Sequence, residues 1–249
     1  MERRISKFKT AEILAEELAL YLKERIEEKS LGNDKFFLSL SGGSTPKLLF
    51  KVLAEPRFAG NIKWQNLQLF WGDERCVPPE DGESNYGMTK ELLLDKIKIP
   101  GGNIHRIKGE AAPEEETVRY AEEIRNTINI KNNLPRFDCI LLGMGEDGHT
   151  ASLFPGKKLD AVEQNICGVA ERQIAADGKV NIQKRVSLTK DTICNAEQVI
   201  FLVTGNKKSK VLSEIINNIP SGRNYPASRI KNIHGYSEWW IDEDAASSL

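Results

Sequence analysis

The apolar positions of the first thirty residues repeat at helical spacing. Between Thr10 and about Glu28 these positions are Ile13, Leu14, Leu18, Tyr21, Leu22 and Ile26. Steps of three and four residues place these side chains on one face of a helix and polar side chains on the other. Thr10 is of a type that caps helix N-termini, and Glu12 lies in the first turn. The pattern therefore predicts an amphipathic helix that begins next to Thr10.

Further along the chain, short continuous apolar runs alternate with helical segments. The runs cover residues 36–40, 67–71, 139–142 and 199–203. Each run ends at a glycine or a polar loop, and helices are predicted to begin near Pro46, to cover 86–96 and to continue through Ile219. Strands that are apolar at every position are typical of parallel sheets, because both of their faces are buried.

The alternation of strands and helices predicts an α/β fold. We expect a doubly wound, mainly parallel, Rossmann-like sheet with helices on both faces. Residues 1–249 contain no Pro/Ser-rich linker, no low-complexity segment and no detectable repeat, so we expect a single domain. Ligands of such open sheets bind beyond the carboxyl ends of the strands. The unusual polar residues of this sequence lie at those ends, which predicts a site assembled from four loops.

Charge and composition narrow the range of partners. The chain has 35 Lys and Arg against 36 Asp and Glu, which gives a formal net charge of -1. Nucleic-acid-binding proteins usually carry a basic excess, so we expect a small-molecule partner and no nucleic acid. Charged residues follow Met1 at once, and no apolar run approaches the ~18 residues of a membrane span. We therefore expect no signal peptide, no membrane segment and a cytoplasmic location.

The loop after the first apolar run has the sequence SGGSTP at 41–46. Glycines let the backbone approach an anion closely, and the N-terminus of the following helix supplies unpaired N–H groups. The loop indicates a phosphate site formed by Gly42, Gly43, Ser44 and Thr45. A tight strand-to-helix turn capped by Ser44 or Thr45 explains the same residues about equally well. The GxxxxGK[ST] pattern of NTP-binding loops is absent.

Charged residues near the other strand ends are candidates for substrate binding. Arg75 can form a forked, charge-assisted pair with a phosphate or carboxylate, and Asp73 can accept from sugar hydroxyls or orient a neighbouring group. The segments 184–189 and 205–209 add further basic residues, and a lysine at the start of a helix, just after a strand and a glycine, can pair with a phosphate held by the glycine loop. Taken singly, each of these charges is better explained as a solvated surface residue, and it is the position of residues 73–75 at a strand end that favours a functional role.

Residues 143–148 follow the third apolar run and match the GxGxxG pattern. A dinucleotide site is disfavoured here, because Glu146 and Asp147 would bring two negative charges to the pyrophosphate position. Pro155 and Gly156 also interrupt the helix that such a site requires. The segment therefore predicts a flexible turn rather than a nicotinamide-binding motif.

His149 follows this turn and is the candidate general base. An imidazole with a reference pKa of about 6.5 exchanges protons near neutral pH, and Asp147 can fix its tautomer. A structural, hydrogen-bonded histidine is the alternative. His105 and His234 lack comparable surroundings, and we expect both to be structural. The sequence has no HExxH or CxxC motif, so we expect no metal site.

These motifs together resemble those of a known family. The sequence resembles the 6-phosphogluconolactonases, whose superfamily also holds the glucosamine-6-phosphate deaminases. The matching segments are SGGSTP at 41–46, DER at 73–75, VP at 77–78, SN at 84–85, GMGEDGHTASLFPG at 143–156, RVSLT at 185–189, Lys208 and PAS at 226–228. They are spread over nearly the whole chain, and 143–156 is the most specific.

The resemblance implies hydrolysis of 6-phospho-D-glucono-1,5-lactone to 6-phosphogluconate in the oxidative pentose phosphate pathway, without a metal or organic cofactor. It implies that His149 is the catalytic base and that Asp147 or Asp73 orients its ring. The implied phosphate and sugar contacts are Gly42, Gly43, Ser44, Thr45, Arg75, Arg185 and Lys208. The expected partner is a phosphosugar lactone, and the expected oligomeric state is a monomer or homodimer.

Three alternative functions stay open. A deaminase of the same superfamily needs a carboxylate shortly after the DGH triplet, where this chain has Phe154, and this disfavours deamination. A non-catalytic sugar-phosphate sensor would be expected to lack His149. A nicotinamide-dependent oxidoreductase is disfavoured by the acidic turn.

Two residues depart from the pattern of the family. Lys184 stands where an apolar residue or proline is expected, and Ser187 stands where threonine is more common.

Overall fold

The computed structural model of the chain describes residues 2–157, 160–161, 166–176 and 179–249. Its strands are β1 (Glu2–Phe8), β2 (Phe36–Leu40), β3 (Leu67–Trp71), β4 (Asp73–Arg75), β5 (Ile104–His105), β6 (Ile130–Lys131), β7 (Leu134–Pro135), β8 (Cys139–Gly143), β9 (Asp160–Ala161), β10 (Cys167–Ala176), β11 (Lys179–Leu188), β12 (Val199–Val203) and β13 (Tyr236–Asp242). Its helices are α1 (Ala11–Leu31), α2 (Ser44–Leu53), α3 (Pro56–Ala59), α4 (Asn85–Leu92), α5 (Pro113–Thr127), α6 (Lys190–Cys194) and α7 (Ser209–Ile216). Within the described ranges, no helix has both the length and the apolarity needed to cross a bilayer.

Seven parallel strands form the central sheet in the order β1-β13-β12-β8-β2-β3-β5. From β2 the chain proceeds outward through β3 to β5, then returns to β8 on the other side of β2 and proceeds outward through β12 to β13. Because connections between parallel strands keep one hand, this reversal of direction puts helices on both faces of the sheet. The predicted doubly wound α/β class is confirmed, and the reversal lies between β2 and β8.

The four apolar runs form the middle of this sheet. Every residue of β3 and β12 is buried, as are all but one residue of β2 and of β8. Strands that are covered on both faces require such runs. Phe201 of β12 stacks on Trp239 of β13, with ring centroids 4.1 Å apart, and this contact extends the core toward the outer strands.

Helix α1 begins where its sequence pattern predicts. Thr10 has an extended backbone, and its Oγ1 accepts a hydrogen bond from Ile13 N at 3.3 Å. Most of the predicted apolar face packs inward, with Leu14 and Leu18 fully buried, but Ile13 is 40% exposed. An N-cap hydroxyl and an apolar stripe therefore specify the start and the orientation of this helix.

The ends of two other helices differ from the prediction. α4 covers only the first part of the predicted 86–96 helix, and a separate 3₁₀ turn follows it. α7 ends at Ile216 instead of Ile219, because Asn218 has a φ of 55° and Pro220 follows. Asparagine adopts this left-handed conformation more readily than most residues, and proline cannot continue a helix, so the pair ends the helix early.

The apolar runs do not predict the second, antiparallel sheet. Its order is β4-β11-β10-β9, and β10 and β11 form a long hairpin. β4 follows β3 after a single residue, Gly72, which donates to Leu40 O and accepts from Leu188 N, both at 2.8 Å. The chain therefore crosses between the two sheets within one residue. This crossing brings β4 and β11 to the carboxyl edge of the central sheet.

Tyr120 of α5 completes the hydrogen bonding of β3 at this edge. β5 pairs with β3 only as far as His105, which lies opposite Phe70. At the next residue, the Tyr120 hydroxyl accepts from Trp71 N at 3.0 Å and donates to Trp71 O at 2.9 Å. One buried hydroxyl therefore satisfies two backbone groups that would otherwise be buried without a partner.

We expect Tyr120→Phe to lower the free energy of unfolding by about 1–3 kcal/mol, because it leaves the N–H and C=O of Trp71 without their partner. Urea unfolding followed by tryptophan fluorescence measures the change. The matched control is Tyr236→Phe, on a half-buried ring, for which we expect a change within about 0.5 kcal/mol. Equal stability of Tyr120→Phe and the wild type would contradict this role of the hydroxyl.

Candidate active site

A cleft of about 230 Å³ lies at the carboxyl ends of β2, β8 and β12, beside the second sheet. The central sheet and its loops line it with Ser41, Gly42, Gly43, Ser44, Thr45, Pro46, Gly143, Met144, Gly145, His149, Ala151, Leu202 and Lys208. The second sheet and the loop after β4 add Asp73, Arg75, Asn85, Arg172 and Arg185. The loops after β2 and β8 are neighbours because the strand order reverses between these two strands, where ligands bind in doubly wound folds.

Two glycines shape the loop after β2. Gly43 precedes α2 with a φ of 111°, a conformation that residues with a Cβ rarely adopt. A Cβ on Gly42 would lie 1.9 Å from Asn85 Oδ1, so this position also requires glycine. In this described loop, Gly43 is the N-cap and no side chain caps α2, contrary to the alternative of a cap by Ser44 or Thr45. The first backbone N–H groups of α2 are therefore available to an anion.

The loop after β8 is wound tightly around His149. Gly145 N donates to His149 O at 3.0 Å, and a Cβ on Gly145 would lie 2.2 Å from His149 Cε1. Gly148 has a φ of 74°, and its Cβ would lie 2.4 Å from the Tyr225 ring. The glycines of this motif therefore make room for an imidazole and for the aromatic ring that packs against the turn.

Asp147 holds the imidazole of His149. Asp147 Oδ1 accepts hydrogen bonds from His149 Nδ1 and from His149 backbone N, the latter at 3.2 Å. A carboxylate at this position accepts, so we assign the hydrogen to Nδ1, which leaves the lone pair of the neutral ring on Nε2. The His149 side chain is 17% exposed, and its ring packs on Phe154 with centroids 5.1 Å apart. The ring therefore has one tautomer and one orientation in the wall of the cleft.

The hydrogen bond from His149 also changes the acidity of its partner. It lowers the pKa of Asp147 to about 2, and the charge of Arg172 acts in the same direction. Arg172 Nη2 lies 3.9 Å from Asp147 Oδ2, and the Arg172 guanidinium lies 5.4 Å from the centre of the Phe154 ring. Arg172, Asp147 and His149 therefore form one connected charged group at this end of the cleft.

Asp73 occupies a different part of the cleft. Asp73 Oδ2 accepts a hydrogen bond from Ser152 Oγ at 2.7 Å and lies 3.7 Å from Arg185 Nη1. The residue is 5% exposed. Of the two carboxylates considered for orienting His149, Asp147 bonds to the ring, while Asp73 faces Arg185 and Ser152.

Glu74, the residue between Asp73 and Arg75, organises the start of α4. Its carboxylate accepts from the backbone N–H groups of Arg75, Asn85 and Tyr86 at 2.7–2.8 Å. Burial raises the pKa of Glu74, and these three donors act against that effect. The arrangement fixes Asn85, whose Nδ2 donates to Asp73 O at 2.9 Å while the side chain lines the cleft.

Arg75 and Arg185 lie directly opposite each other in the β4–β11 pair. Arg185 is 5% exposed, and burial lowers its pKa. Arg75 is half-buried, and its Nη1 donates to Glu83 O. Two guanidinium groups on one wall repel each other, but together they form a strong site for a doubly charged anion.

Lys208 approaches the cleft from the turn before α7. The residue is half-buried, and burial lowers its pKa, while the charges of Asp242 and Glu146 act in the opposite direction. The turn is fixed by Gly205 N, which donates to both carboxylate oxygens of Asp242 at 3.0 and 3.1 Å. Lys208 and the glycine loop line the same cleft.

The cleft has a strong excess of positive charge. Its described lining contains the cationic side chains of Arg75, Arg172, Arg185 and Lys208 and one carboxylate, that of Asp73. Every residue that the sequence nominated for binding lines this cleft, as does His149, and Asp147 lies against the His149 ring. The arrangement can bind an anion at one part of the cleft and exchange a proton at another.

Sequence reasoning did not identify Arg172, and it noted Asn85 only as part of a matching motif. Arg172 lies on β10, in the second sheet that the apolar runs do not predict. Residues 167–172 alternate only weakly between apolar and polar types, so the strand signal there is poor. Once β10 is known, Arg172 stands out as a half-buried cation beside Asp147.

The other two histidines have structural contacts. His105 is buried, stacks on Phe70 at 4.4 Å and is hydrogen-bonded to Gln68 and Glu123. His234 is exposed, with its Nε2 3.2 Å from a Glu197 carboxylate oxygen. Across the part of the chain that the structure describes, no three His, Cys, Asp or Glu side chains are grouped to hold a metal ion.

Comparison with known proteins finds relatives that match most of the chain. The family profile described as glucosamine-6-phosphate isomerases/6-phosphogluconolactonase matches residues 9–239. A 6-phosphogluconolactonase of Haemophilus influenzae is 45% identical over 217 residues, which cover 87% of this chain and 89% of that protein. The crystal structure of a protein described as devB is similar with a TM-score of 0.87 at 40% identity, covering 100% of both chains. The 6-phosphogluconolactonase of Trypanosoma brucei is similar with a TM-score of 0.80 at 28% identity, covering 100% of this chain and 99% of that one.

The depressed pKa of Asp147 predicts a pH-dependent contribution to stability. A carboxyl whose folded pKa is about 2 stabilises the protein above its unfolded pKa of about 4, and this contribution is lost as pH falls from about 4 toward 2. We expect Asp147→Asn to be less stable than the wild type at pH 5 and the difference to shrink by pH 3. Because the side chain is 47% exposed, solvent screening keeps the difference below about 1 kcal/mol.

Urea midpoints of the two proteins at both pH values measure this difference. The control repeats the comparison with His149→Ala as the starting protein, where the main partner of Asp147 is gone, Arg172 remains and the difference should become smaller. A difference that stays the same at pH 5 and pH 3 would contradict the assignment.

Proposed function

Because this chain belongs to the family of glucosamine-6-phosphate isomerases and 6-phosphogluconolactonases, we propose that it hydrolyses 6-phospho-D-glucono-1,5-lactone to 6-phosphogluconate. This reaction is the lactone-opening step of the oxidative pentose phosphate pathway. One observation carries the proposal: the ring of His149, bonded to Asp147 through Nδ1, lines the same cleft as the cations suited to a sugar phosphate.

The substrate phosphate fits the part of the cleft that combines backbone N–H groups with positive charge. The N-terminus of α2 offers donors from Gly43 onward, and Arg75, Arg185 and Lys208 offer charge. A phosphate ester carries up to two negative charges at neutral pH, so several cations in one cleft balance it better than a single one. With the phosphate held there, the lactone ring extends toward His149.

Hydrolysis of the lactone needs a base and a site for the developing negative charge. In the proposed step, His149 Nε2 removes a proton from water while the water oxygen bonds to the lactone carbonyl carbon. The bond between that carbon and the ring oxygen then breaks, and the imidazolium returns the proton to the departing ring oxygen. Asp147 stabilises the imidazolium that forms between these events, since its carboxylate is ionised and bonded to Nδ1.

Arg172 is the cation best placed to balance the charge on the carbonyl oxygen. Its Nη2 lies 3.9 Å from Oδ2 of Asp147, the residue that bonds to the His149 ring. Arg172 and Arg185 both lie over the Phe154 ring, at 5.4 and 5.6 Å from its centre, so the contact with Asp147 is what distinguishes Arg172. The other three cations reach the cleft from β4, β11 and the turn before α7. We propose that Arg172 faces the reacting end of the lactone and the carboxylate of the product.

The same geometry weighs against the alternative functions. Phe154 packs on the His149 ring where a deaminase would need a carboxylate, which disfavours deamination of glucosamine 6-phosphate. A sugar-phosphate sensor has no need of a base held by an ionised carboxylate, but His149 has one. The tight turn at Gly145–Gly148 does not lead into a helix of the kind that binds a dinucleotide pyrophosphate.

The remaining features of the proposal concern the setting of the enzyme. We propose that it works without a metal or organic cofactor, because general base catalysis by His149 needs neither. We further propose a cytoplasmic enzyme that acts as a monomer or homodimer and binds no nucleic acid. The near-zero net charge supports the last point, since nucleic-acid binders need a basic excess.

The test of the function uses freshly generated 6-phospho-D-glucono-1,5-lactone and follows acid release with and without the protein. Spontaneous opening sets the background, and we expect the protein to accelerate acid release far above it. Ammonia release from glucosamine 6-phosphate would favour the deaminase instead. Tight binding of 6-phosphogluconate without any acceleration would favour the sensor, and binding of NAD or NADP would favour an oxidoreductase.

We expect His149→Ala to lower kcat by roughly 10²–10⁴-fold, the usual contribution of a general base. Binding of 6-phosphogluconate, measured by calorimetry, should be nearly unchanged, because the phosphate contacts remain. The matched control is His234→Ala, which removes an exposed imidazole outside the cleft and should leave kcat unaltered. An unchanged kcat in His149→Ala would remove this histidine from the role.

We expect Lys208→Ala to raise KM by about 10–100-fold while kcat changes by less than about threefold. The phosphate is remote from the reacting carbon, so its contacts contribute equally to binding substrate and transition state. Steady-state kinetics measure the separate effects on KM and kcat. The control is Lys207→Ala, which removes the exposed neighbouring lysine. A loss of kcat at constant KM would show that Lys208 acts on the reacting end instead.

A further inference from the structure

The two arginines opposite each other in β4 and β11 pose an electrostatic problem. Arg75 and Arg185 are a cross-strand pair, and side chains at such positions have Cβ atoms only about 5 Å apart. Like charges at this spacing repel, and Arg185 is buried, so water screens the repulsion poorly. Without further contacts the guanidinium groups would turn away from each other and out of the cleft.

Gln183 holds Arg185 from the side away from Asp73. Gln183 Oε1 accepts from Arg185 Nε at 2.9 Å and from Arg185 Nη2 at 2.7 Å. Arginine only donates, so the amide oxygen must face it and the amide nitrogen must point the other way. This arrangement leaves Nη1 as the edge of the guanidinium that lies near Asp73 Oδ2, at 3.7 Å. The two residues are two positions apart in one strand, so they share a face.

Glu83 connects this pair to the second arginine. Its Oε2 accepts from Gln183 Nε2 at 2.7 Å, and its backbone O accepts from Arg75 Nη1. Glu83 itself is fixed in its loop, because its backbone N donates to Asp81 Oδ1 at 2.8 Å. One loop residue therefore contacts Arg75 directly and Arg185 through the amide of Gln183.

We infer that Glu83 and Gln183 are positioning residues that hold Arg75 and Arg185 side by side, so that both present charge to one phosphate group of the substrate. Glu83 supplies a carbonyl oxygen to one guanidinium and a carboxylate to the amide that holds the other. Glu83 and Gln183 therefore oppose the repulsion between the two arginines before any anion binds. This inference rests on the proposed function for the phosphate group that the two arginines face, whereas the positioning of the arginines themselves is tested without substrate.

The kinetic test is a double-mutant cycle between Gln183 and Arg185. Gln183→Leu keeps the size of the side chain and removes the amide, and we expect KM to rise about tenfold with kcat within about twofold. In a protein that already carries Arg185→Ala, Gln183→Leu should raise KM by no more than about twofold, because there is nothing left to position. Gln173→Ala, at an exposed glutamine of the same hairpin, is the matched control and should leave KM unchanged.

A rescue experiment separates positioning from general damage to the fold. Glu83→Gln combined with Gln183→Glu exchanges the carboxylate and the amide, so that an acceptor still faces Arg185 and an amide N–H still joins the two residues. We expect this double variant to have a KM within about threefold of the wild type. Gln183→Glu alone should raise KM, because it brings its new carboxylate against that of Glu83. Failure of the exchange to restore KM would count against the inference.

A measurement without substrate makes the result independent of the proposed function. The Nε–H resonance of Arg185 in ¹⁵N-arginine-labelled protein is assigned by its absence in Arg185→Ala. We expect a slowly exchanging signal in the wild type and in the exchange variant, and its loss or acceleration in Gln183→Leu. If the wild type opens no lactone, the proposed function fails and this resonance still decides the inference. An unaltered resonance, or an equal rise of KM in both backgrounds of the cycle, would overturn it.

Discussion

Four cationic side chains share a small cleft with one carboxylate, and the surrounding residues hold these cations close together against their mutual repulsion. Their mutual repulsion favours an open, disordered arrangement until an anion binds. The fold resists this by placing Arg75, Arg172, Arg185 and Lys208 on separate, rigid elements. Arg75 and Arg185 are held by the neutral acceptors Glu83 O and Gln183 Oε1, and Arg172 lies beside the Asp147 carboxylate. Positive charge that is fixed in advance binds and stabilises anions without reorganisation.

The two sheets divide the chemistry between them. The central parallel sheet contributes the glycine loop after β2 and the His149 turn after β8, which are neighbours because the strand order reverses there. The antiparallel sheet contributes three arginines. Gly72 joins the two systems, since the chain crosses from β3 to β4 within this one residue. A substrate with an anionic end and a reactive end can therefore contact both sheets at once.

Much of this arrangement was predictable from local sequence. Continuous apolar runs predicted the inner strands, and the glycine motifs after them predicted which loops line the cleft. The antiparallel sheet was not predictable in this way, because the pairing of Arg75 with Arg185 joins residues far apart in sequence. Arg172 could not be identified from the sequence for the same reason: its contact with Asp147 joins residues far apart in sequence and belongs to no motif. Local pattern also left open which carboxylate bonds to His149, and only the turn geometry distinguishes Asp147 from Asp73.

The central claim is that fixed cations anchor a phosphate so that a remote base can act on the lactone carbon. The most direct measurement compares kcat/KM for 6-phospho-D-glucono-1,5-lactone with kcat/KM for D-glucono-1,5-lactone, which has the same reacting ring and no phosphate. Several charge-assisted contacts to the phosphate predict a preference of at least about 10³-fold for the phosphorylated lactone. Nearly equal values for the two lactones would contradict the account, because the cations would then contribute nothing to catalysis.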